Sequence, residues 1–293
     1  MVESLVPPVP VTVRVGDVPL SGLVAAVPEP RATIVAVHGA VARAAYFHGT
    51  AHPDQSLLTL AQQLGHTVVA LDRPGYGASA AHTRELSRDE RAALYRAAVT
   101  QAAAEHGGTA PVVVVSHSAG AAHAARLVVD GLPGVVGWEM CSNGLRHVHI
   151  DLSPADGGGP RDAGSGASVR DLIWGPATLY PPGGMDTGGR RGDVIRPEPA
   201  DAEAWRRELP AYAARVAVPV RLTIGERDPI WDHTPPVLAE LAAAFGTAPR
   251  VGTNVQPGAP HNMSLSVAAR AYHLGVLAFV EQCLLDATVP TPV

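Results

Sequence analysis

Lysine is absent from the sequence, so arginine alone makes up the 22 residues counted as lysine plus arginine. This absence excludes a lysine Schiff base and the phosphate-binding lysine of a Walker motif. Cysteine is almost as scarce, with only Cys141 and Cys283, which lie far apart in the chain. Such a pair excludes a disulfide framework and a cysteine-based zinc site, and we expect both thiols to be reduced and buried.

Long apolar runs and targeting signals are also missing. No stretch reaches membrane-spanning length, and residues 1–10 lack the basic segment and apolar core of a signal peptide. The formal net charge of −5 gives no sign of a nucleic-acid partner. No group of histidine and acidic residues has metal-ligand spacing, so no metal or cofactor is expected. We therefore expect a cytoplasmic protein without membrane or nucleic-acid partners, whose oligomeric state the sequence leaves open.

The sequence does contain a regular alternation of apolar strands and helices. Short apolar runs predict buried strands at residues 32–37, 67–71, 112–115, 134–140 and 218–224, and a weaker strand at 250–255. Composition and caps predict helices at 57–64, 87–106, 121–129, 236–245 and 267–285. This alternation indicates an α/β fold with a largely parallel sheet, to which a hairpin at 9–27 adds an antiparallel edge. The abundance of alanine, glycine, proline and arginine is typical of a GC-rich bacterial genome.

A glycine- and proline-rich insertion interrupts this pattern. Within residues 142–212 only a short helix at 200–209 is predicted. Long loops in a compact domain are usually functional, and Trp174 and Tyr180 favour partial packing over a loose linker. We therefore predict a core domain of residues 1–141 and 213–293 and a mobile cap of residues 142–212.

The central motif follows a run of four valines at residues 112–115 and reads Ser116-His117-Ser118-Ala119-Gly120. A buried strand here turns sharply into a helix, and the small residues Ser116 and Gly120 leave room for the turn. The pattern predicts a nucleophile elbow that exposes Ser118 at the start of a helix, although Ser116 replaces the usual glycine. The alternative is an ordinary strand–turn–helix with a serine near the cap.

Three candidate catalytic residues follow predicted strands, in the order Ser118, Asp228 and His261. The carboxyl ends of parallel strands gather at one edge of a sheet, so these side chains can meet. His261 would take the proton of Ser118, and Asp228 would orient the imidazole and stabilise its charged form. The backbone amides of Ala40 and Ala119 are the candidates for an oxyanion hole.

Some of these assignments have competitors within the sequence. Asp228 could be a solvated turn residue, with Glu139 serving as the acid instead. His261 is one of 13 histidines. Among the others, we expect His117 to point away from the elbow and His38 to brace the oxyanion loop, whereas His147 suits a substrate contact and a surface position equally well.

The substrate pocket is expected between the elbow, the loop after Ala40 and the cap. Each lining candidate could equally belong to the core; the candidates are Val41, Tyr46, Phe47, Trp138, Met140, Trp174, Tyr180, Trp231 and Met263. Aromatic residues close to strand ends favour a small-molecule substrate of medium size that is partly apolar. Arg43 and Arg73 could bind a carboxylate or phosphate, although a surface role is expected for both.

The chain resembles the α/β-hydrolase superfamily over most of its length. The resemblance rests on five motifs in order: His38-Gly39, Asp72-Arg73-Pro74-Gly75-Tyr76-Gly77, Ser116-His117-Ser118-Ala119-Gly120, Gly225-Glu226-Arg227-Asp228 and Pro260-His261-Asn262. It implies a mostly parallel eight-stranded sheet flanked by helices, with a cap or lid after the sixth strand. A serine at the elbow places the chain in the serine-nucleophile branch and speaks against epoxide hydrolases and dehalogenases, which have aspartate there.

The resemblance implies hydrolysis of esters, lactones or thioesters. Our first hypothesis is therefore a cofactor-free serine hydrolase that forms an acyl-enzyme. The same fold also occurs in natural-product pathway enzymes, so elimination, cyclisation or acyl transfer is the alternative. A non-catalytic binding protein on a hydrolase fold is the third hypothesis, which an intact triad makes less attractive.

Overall fold

Eight strands form one mostly parallel sheet in the computed structural model, which describes residues 6–148, 150–151, 161–162, 173–187 and 198–288. The strands are β1 Val9–Val15, β2 Val18–Ala25, β3 Thr33–Val37, β4 Thr67–Leu71, β5 Val112–His117, β6 Val135–Cys141, β9 Val220–Gly225 and β10 Val251–Gln256. Two further strands, β7 Ile150–Asp151 and β8 Arg161–Asp162, pair only with each other.

The sheet has the order β1-β2-β4-β3-β5-β6-β9-β10 and is open. The pairs β1–β2 and β2–β4 are antiparallel, and the other five pairs are parallel. Parallel neighbours need crossover connections, and helices supply most of them. The predicted fold class, an eight-stranded and mostly parallel α/β sheet with an antiparallel edge, is confirmed.

Helices cover both faces of the sheet. They are α1 Leu57–Gln63, α2 Arg88–Gly107, α3 Ala121–Val129, α4 Gly184–Thr187, α5 Glu198–Ala213, α6 Pro235–Ala244 and α7 Ala269–Thr288. Because side chains alternate along a strand, Val112 and Val114 of β5 join the core cluster beneath α2 and α3, whereas Val113 and Val115 join the cluster beneath α1 and α7. Among the described residues, no helix is both long and apolar enough to cross a membrane.

The predicted start of α2 is confirmed in detail. The Ser87 hydroxyl accepts the Glu90 N–H at 3.2 Å, and the Glu90 carboxylate accepts the Ser87 N–H at 2.8 Å. This capping box satisfies two amides that a helix start otherwise leaves unpaired, and loss of such a cap costs about 1 kcal/mol. Local sequence therefore determines where this helix begins.

Helix α5 extends beyond the predicted 200–209. It continues through Pro210, where the Pro210 carbonyl accepts the Ala214 N–H at 3.1 Å. Trp205 and Leu209 are buried in the core cluster that contains β6 and α3. This packing outweighs the helix-breaking effect of proline, and it attaches α5 to the core domain. The division of the chain at residue 212 stays a prediction, since α5 itself crosses that position.

Acid sensitivity follows from four histidines whose ring nitrogens are buried. Burial lowers the pKa of His38, His117 and His123 well below the ordinary value and that of His273 to about 4. Below pH ~6.5 the unfolded chain binds protons that the folded protein does not. The contribution of these neutral histidines to stability is therefore fully present above that pH and is lost as the pH falls below it. We expect a loss of about 1.4 kcal/mol per pH unit for each histidine, measured by urea unfolding between about pH 7 and pH 5.

The His123→Leu variant isolates one of these contributions. Neither ring nitrogen of His123 has a hydrogen-bond partner in the described structure, so the change removes a titrating group without breaking a bond. The slope of the unfolding free energy against pH should therefore decrease by about 1.4 kcal/mol per pH unit, the contribution of one titrating group. An unchanged slope would show that His123 is not buried in its neutral form.

Candidate active site

The turn after β5 holds Ser118 in an unusual backbone conformation. Its φ angle is +50°, a region that residues with a Cβ rarely adopt. A short 3₁₀ turn, Ser118–Gly120, then leads into α3. A Cβ on Gly120 would lie 2.5 Å from the Val37 carbonyl oxygen, so only glycine fits. Ser116 accepts a hydrogen bond from the Trp138 indole at 2.9 Å and is a buried support of the strand.

The structure brings Ser118, His261 and Asp228 together from three strand ends. Ser118 Oγ lies 3.0 Å from His261 Nε2, and His261 Nδ1 lies 2.8 Å from Asp228 Oδ2. The other carboxylate oxygen of Asp228 accepts the Ile230 N–H at 2.9 Å, which fixes the carboxylate. Because a carboxylate only accepts, Nδ1 carries the proton and Nε2 is free to accept the serine hydroxyl proton.

His117 also belongs to this site, contrary to the expectation that it points away. Its Nε2–H donates to the His261 carbonyl at 3.1 Å, and Ser142 Oγ donates to the same carbonyl at 2.8 Å. The His117 ring stacks on Tyr46 at 4.3 Å between centroids. Burial lowers the pKa of His117 well below the ordinary value, which keeps it a neutral donor. Sequence reasoning missed both positioning contacts, because a backbone carbonyl has no sequence signature.

A second positioning chain reaches the elbow from α5. Asn143 Nδ2 donates to the Ser118 carbonyl at 3.0 Å, and Trp205 Nε1 donates to Asn143 Oδ1 at 3.2 Å. The sequence offers no motif for this chain, because its members come from separate elements. These two hydrogen bonds fix the backbone of the strained Ser118 from the side of α5.

The loop after β3 is fixed by His38 and Arg73. The Gly39 carbonyl accepts from Arg73 Nη2 at 2.9 Å and from His38 Nδ1 at 2.8 Å, while His38 Nε2 accepts the Arg73 N–H at 2.8 Å. Burial, aided by the Arg73 charge, lowers the pKa of His38 well below the ordinary value. Arg73 is thus a buried brace, where the sequence led us to expect a surface residue or an anion ligand.

The Ala40 amide takes its direction from this brace. The Gly39–Ala40 peptide is trans, so its N–H points away from the carbonyl that Arg73 and His38 hold. A Cβ on Gly39 would lie 3.1 Å from Ser118 Cβ, which shows how closely this loop approaches the elbow. The Ala119 amide directly follows Ser118. Both predicted oxyanion-hole amides therefore lie on segments that border the serine.

Glu139 lies elsewhere. It is fully buried in β6, and its Oε2 accepts from Arg221 Nη1 of β9 at 3.2 Å. Burial raises the pKa of Glu139, and the Arg221 charge opposes this rise. In the described structure the ring nitrogens of His261 contact Asp228 and Ser118 only. We therefore do not propose Glu139 as the acid.

The predicted pocket residues separate into two groups. Tyr46, Phe47, Met263, Trp174 and Tyr180 share one core cluster on the face of the sheet that carries His117. Trp138 and Met140 lie on the opposite face, in the cluster beneath α2 and α3. Their full burial there contradicts the pocket assignment, because alternation along β6 turns both side chains away from His117.

The remaining candidates are Val41, in the loop after β3, and Trp231, in the loop after β9. Val41 is buried, with its N–H donating to the Tyr76 hydroxyl at 3.1 Å. Trp231 follows Asp228 by three positions and contacts the ring of His147 at 4.4 Å between centroids. Arg206 donates to His147 Nδ1 at 3.0 Å, and burial lowers the pKa of His147 to about 4. His147 is therefore neutral and partly buried.

Part of the predicted cap packs over the His261 loop. Within residues 173–187, the Leu179 carbonyl accepts the Val267 N–H at 2.9 Å, and the Ile173 carbonyl accepts the Asn262 amide at 3.4 Å. His52 Nε2 donates to the Pro182 carbonyl at 2.8 Å. These contacts place aromatic residues of the insertion next to the triad loop.

Cavity size does not locate the site. A surface depression of about 230 Å³ lies near the C-terminal part of α3, and its charged lining residues include Asp89, Arg96, Arg126 and Asp130. Arg126 pairs with Asp89 at 3.1 Å, which neutralises much of this surface. Among the described residues, no group of three or more histidine, cysteine and acidic side chains is placed to hold a metal ion.

Comparison with known proteins agrees with this architecture. A model of the alpha/beta hydrolase family matches residues 34–272. The chain is similar to a highly thermostable carboxyl esterase from Bacillus coagulans, with a TM-score of 0.69 and 16% identity over 94% of this chain and 98% of that one. No curated protein matches the sequence.

Two further solved structures share the fold at low identity. The peroxisomal alpha-beta-hydrolase Lpx1 from Saccharomyces cerevisiae has a TM-score of 0.64 and 14% identity, over 96% of this chain and 86% of that one. The dienelactone hydrolase from Anabaena variabilis has a TM-score of 0.55 and 15% identity, over 94% and 97%. Because the family model spans more than half of the sequence, the chain belongs to the alpha/beta hydrolase family.

Proposed function

We propose that the protein is a serine hydrolase that cleaves a carboxylic ester, lactone or thioester through an acyl-enzyme. The observation that carries this proposal is the unbroken hydrogen-bonded chain Ser118–His261–Asp228, with distances of 3.0 Å and 2.8 Å. A serine hydroxyl is a weak nucleophile unless an adjacent base removes its proton. This geometry provides that base, together with a carboxylate that orients it.

In the acylation half-reaction, Ser118 Oγ attacks the substrate carbonyl while His261 Nε2 takes the hydroxyl proton. The new C–O bond converts the carbonyl into a tetrahedral oxyanion, which the amides of Ala40 and Ala119 stabilise. His261 then gives its proton to the leaving alcohol or thiol, and the acyl group remains on Ser118. Asp228 stabilises the imidazolium throughout without taking its proton.

In the deacylation half-reaction, His261 removes a proton from water, which attacks the acyl carbon. Collapse of the second oxyanion returns the proton to Ser118 Oγ and releases the carboxylic acid. No cofactor takes part in either half-reaction. Residues Tyr46, Met263 and Trp174 lie in the cluster next to the site, which supports a substrate of medium size that is partly apolar.

Hydrolysis in heavy-oxygen water tests this proposal. One labelled oxygen in the product acid of a cleaved ester, together with saturable turnover on an ester and thioester panel, is the expected result. Turnover of a substrate without label in any product would instead indicate elimination, cyclisation or transfer of the acyl group to another nucleophile. Saturable binding without turnover would indicate a binding protein on a hydrolase fold.

The close approach of Gly39 gives a further prediction. In Gly39→Ala, the new methyl group would lie 2.6 Å from His117 Nδ1 and 3.1 Å from Ser118 Cβ, so the loop must move away from the elbow. Overpacking of this kind costs about 1–3 kcal/mol of stability. If the Ala40 amide serves the oxyanion, kcat should also fall by about 10²-fold.

Gly252→Ala is the matched control. A Cβ at this exposed position in β10 meets nothing within 4 Å. Its unfolding midpoint and ester kinetics should equal those of the parent. If Gly39→Ala loses stability but keeps the parental kcat, the Ala40 amide has no part in the oxyanion hole.

A further inference from the structure

Four tryptophan and tyrosine side chains carry buried hydrogen-bond donors that have no partner in the described structure. Three of them lie near the triad: Trp174 Nε1, the Tyr180 hydroxyl and Trp231 Nε1. The fourth is the Tyr272 hydroxyl on α7, which packs in the core cluster beneath that helix. Each residue is at most 6% exposed. The other two tryptophans of the sequence, Trp138 and Trp205, both donate their indole protons. In the described structure, unpaired indoles therefore occur only in Trp174 and Trp231, two of the three tryptophans that the sequence placed in the pocket.

Trp174 and Tyr180 adjoin the catalytic histidine loop. Their rings are in contact, with centroids 5.5 Å apart. Asn262, the residue after His261, lies beside the Tyr180 hydroxyl, where its amide opposes the larger rise in the tyrosine pKa that burial causes, and it donates to the Ile173 carbonyl at 3.4 Å. The two donors are thus held next to the triad by the Ile173–Asn262 contact.

Trp231 lies on the side of the triad acid. It follows Asp228 by three positions, and Ile173 of the cap packs against its cluster. Its ring contacts His147, whose Nδ1 accepts from Arg206. The Arg206 guanidinium is itself paired with Glu203 at 3.0 Å. The surroundings of Trp231 therefore contain a neutral imidazole and a neutralised arginine rather than a free positive charge.

An unpaired buried donor is unfavourable for the free protein. Each one reduces the folding equilibrium constant by about tenfold to a hundredfold relative to a paired donor. Indole N–H is a donor only, and a phenol donates readily, so the partner that all three can share is an acceptor oxygen. Three such donors beside one triad are the arrangement expected when the acceptor is provided by a ligand.

We propose that Trp174, Tyr180 and Trp231 bind acceptor oxygens of the substrate that lie outside the reacting ester. This inference rests on the proposed hydrolase function and names its substrate class. The substrate is an ester, lactone or thioester whose acyl or alcohol part carries neutral ketone, ether or hydroxyl oxygens. A purely alkyl ester leaves the three donors unpaired, and such unpaired groups reject an analogue more strongly than a missing methylene does.

Two matched ester pairs test the proposal. The acyl side is tested with p-nitrophenyl valerate and p-nitrophenyl levulinate, which share a carbon chain and differ by a ketone oxygen. The alcohol side is tested with butyl acetate and methoxyethyl acetate, which differ by an ether oxygen. After correction for reactivity towards hydroxide, kcat/KM should favour the oxygenated member of at least one pair by about tenfold.

Tyr180→Phe removes one donor without changing the ring. We expect it to reduce the preference for the oxygenated ester about fivefold, and to leave the unfolding midpoint unchanged or raised because an unpaired group is lost. Trp174→Phe and Trp231→Phe should also reduce the preference. The matched control is Tyr95→Phe, which removes a buried hydroxyl that does have a partner, the Leu71 carbonyl at 3.2 Å. The control should lower the unfolding midpoint and keep the parental preference.

The outcomes separate the two proposals. Equal corrected kcat/KM values within both pairs in the parent, or a preference that survives in all three variants, would overturn the donor assignment while leaving the hydrolase function intact. A parent that cleaves none of the four esters, and that forms no product labelled by heavy-oxygen water from the ester and thioester panel, would overturn the hydrolase function itself. A lowered unfolding midpoint for Tyr180→Phe would show that its hydroxyl is paired in the free protein and would also count against the inference.

Discussion

Replacing Ser118 with alanine is expected to lower kcat on any cleaved ester by about 10³- to 10⁶-fold. The variant lacks the hydroxyl that lies 3.0 Å from His261 Nε2, so no acyl-enzyme can form at this residue. Residual turnover should come from water held near the oxyanion amides. The free energy of unfolding should change little, because alanine removes no contact that supports the turn and loses only a partly exposed hydroxyl.

Intact-mass labelling with a small fluorophosphonate gives an independent measure of the same group. The parent should gain one phosphonyl adduct, and Ser118→Ala should gain none. Ser142→Ala serves as a control: it removes a buried serine hydroxyl that donates to the His261 carbonyl at 2.8 Å, and the variant should still gain one adduct. A loss in kcat of less than about tenfold in Ser118→Ala would exclude covalent catalysis at this residue.

Asp228→Asn is expected to have the second largest effect, a loss in kcat of about 10⁴-fold. Asparagine keeps the shape of the side chain, but its amide can donate to His261 Nδ1. The imidazole is then held in the wrong tautomer, with its proton on Nε2 facing Ser118. Kinetics on the best substrate from the ester panel, with circular dichroism to verify folding, measures this effect.

Glu139→Gln is the matched comparison. It makes the same carboxylate-to-amide change in a fully buried acid that pairs with Arg221 at 3.2 Å. Stability should fall by about 3 kcal/mol because Arg221 loses its countercharge, while kcat in the folded variant should stay within about threefold of the parent. The reverse pattern, with activity lost in Glu139→Gln and kept in Asp228→Asn, would transfer the role of acid to Glu139.

The sheet could be predicted from the sequence because its strands are short apolar runs with clear ends. Residues 112–115 read as a strand buried on both faces, and the structure divides them between two core clusters. The start of α2 followed from Ser87 and Glu90 alone. The end of α5 did not, since local preference at Pro210 is outweighed by the burial of Trp205 and Leu209.

The candidate site could be predicted in part. Motif order along an α/β chain brings Ser118, Asp228 and His261 to one edge, and the structure places them in hydrogen-bond contact. The parts that sequence reasoning missed are contacts through backbone carbonyls. His117 and Ser142 support His261 by its carbonyl, and Asn143 supports Ser118 in the same way. A carbonyl is present at every position, so no pattern of side chains marks the ones in use.

The attachment of α5 to the core has a consequence for protein engineering. Strands β6 and β9 are paired neighbours, so the sheet is complete without the chain between them. A foreign cap could therefore be grafted onto this scaffold to change its substrate range. The graft has to end before Glu198, because Trp205 holds Asn143 and through it the backbone of Ser118. A chimera joined at residue 213 would exchange specificity and damage the nucleophile in the same step.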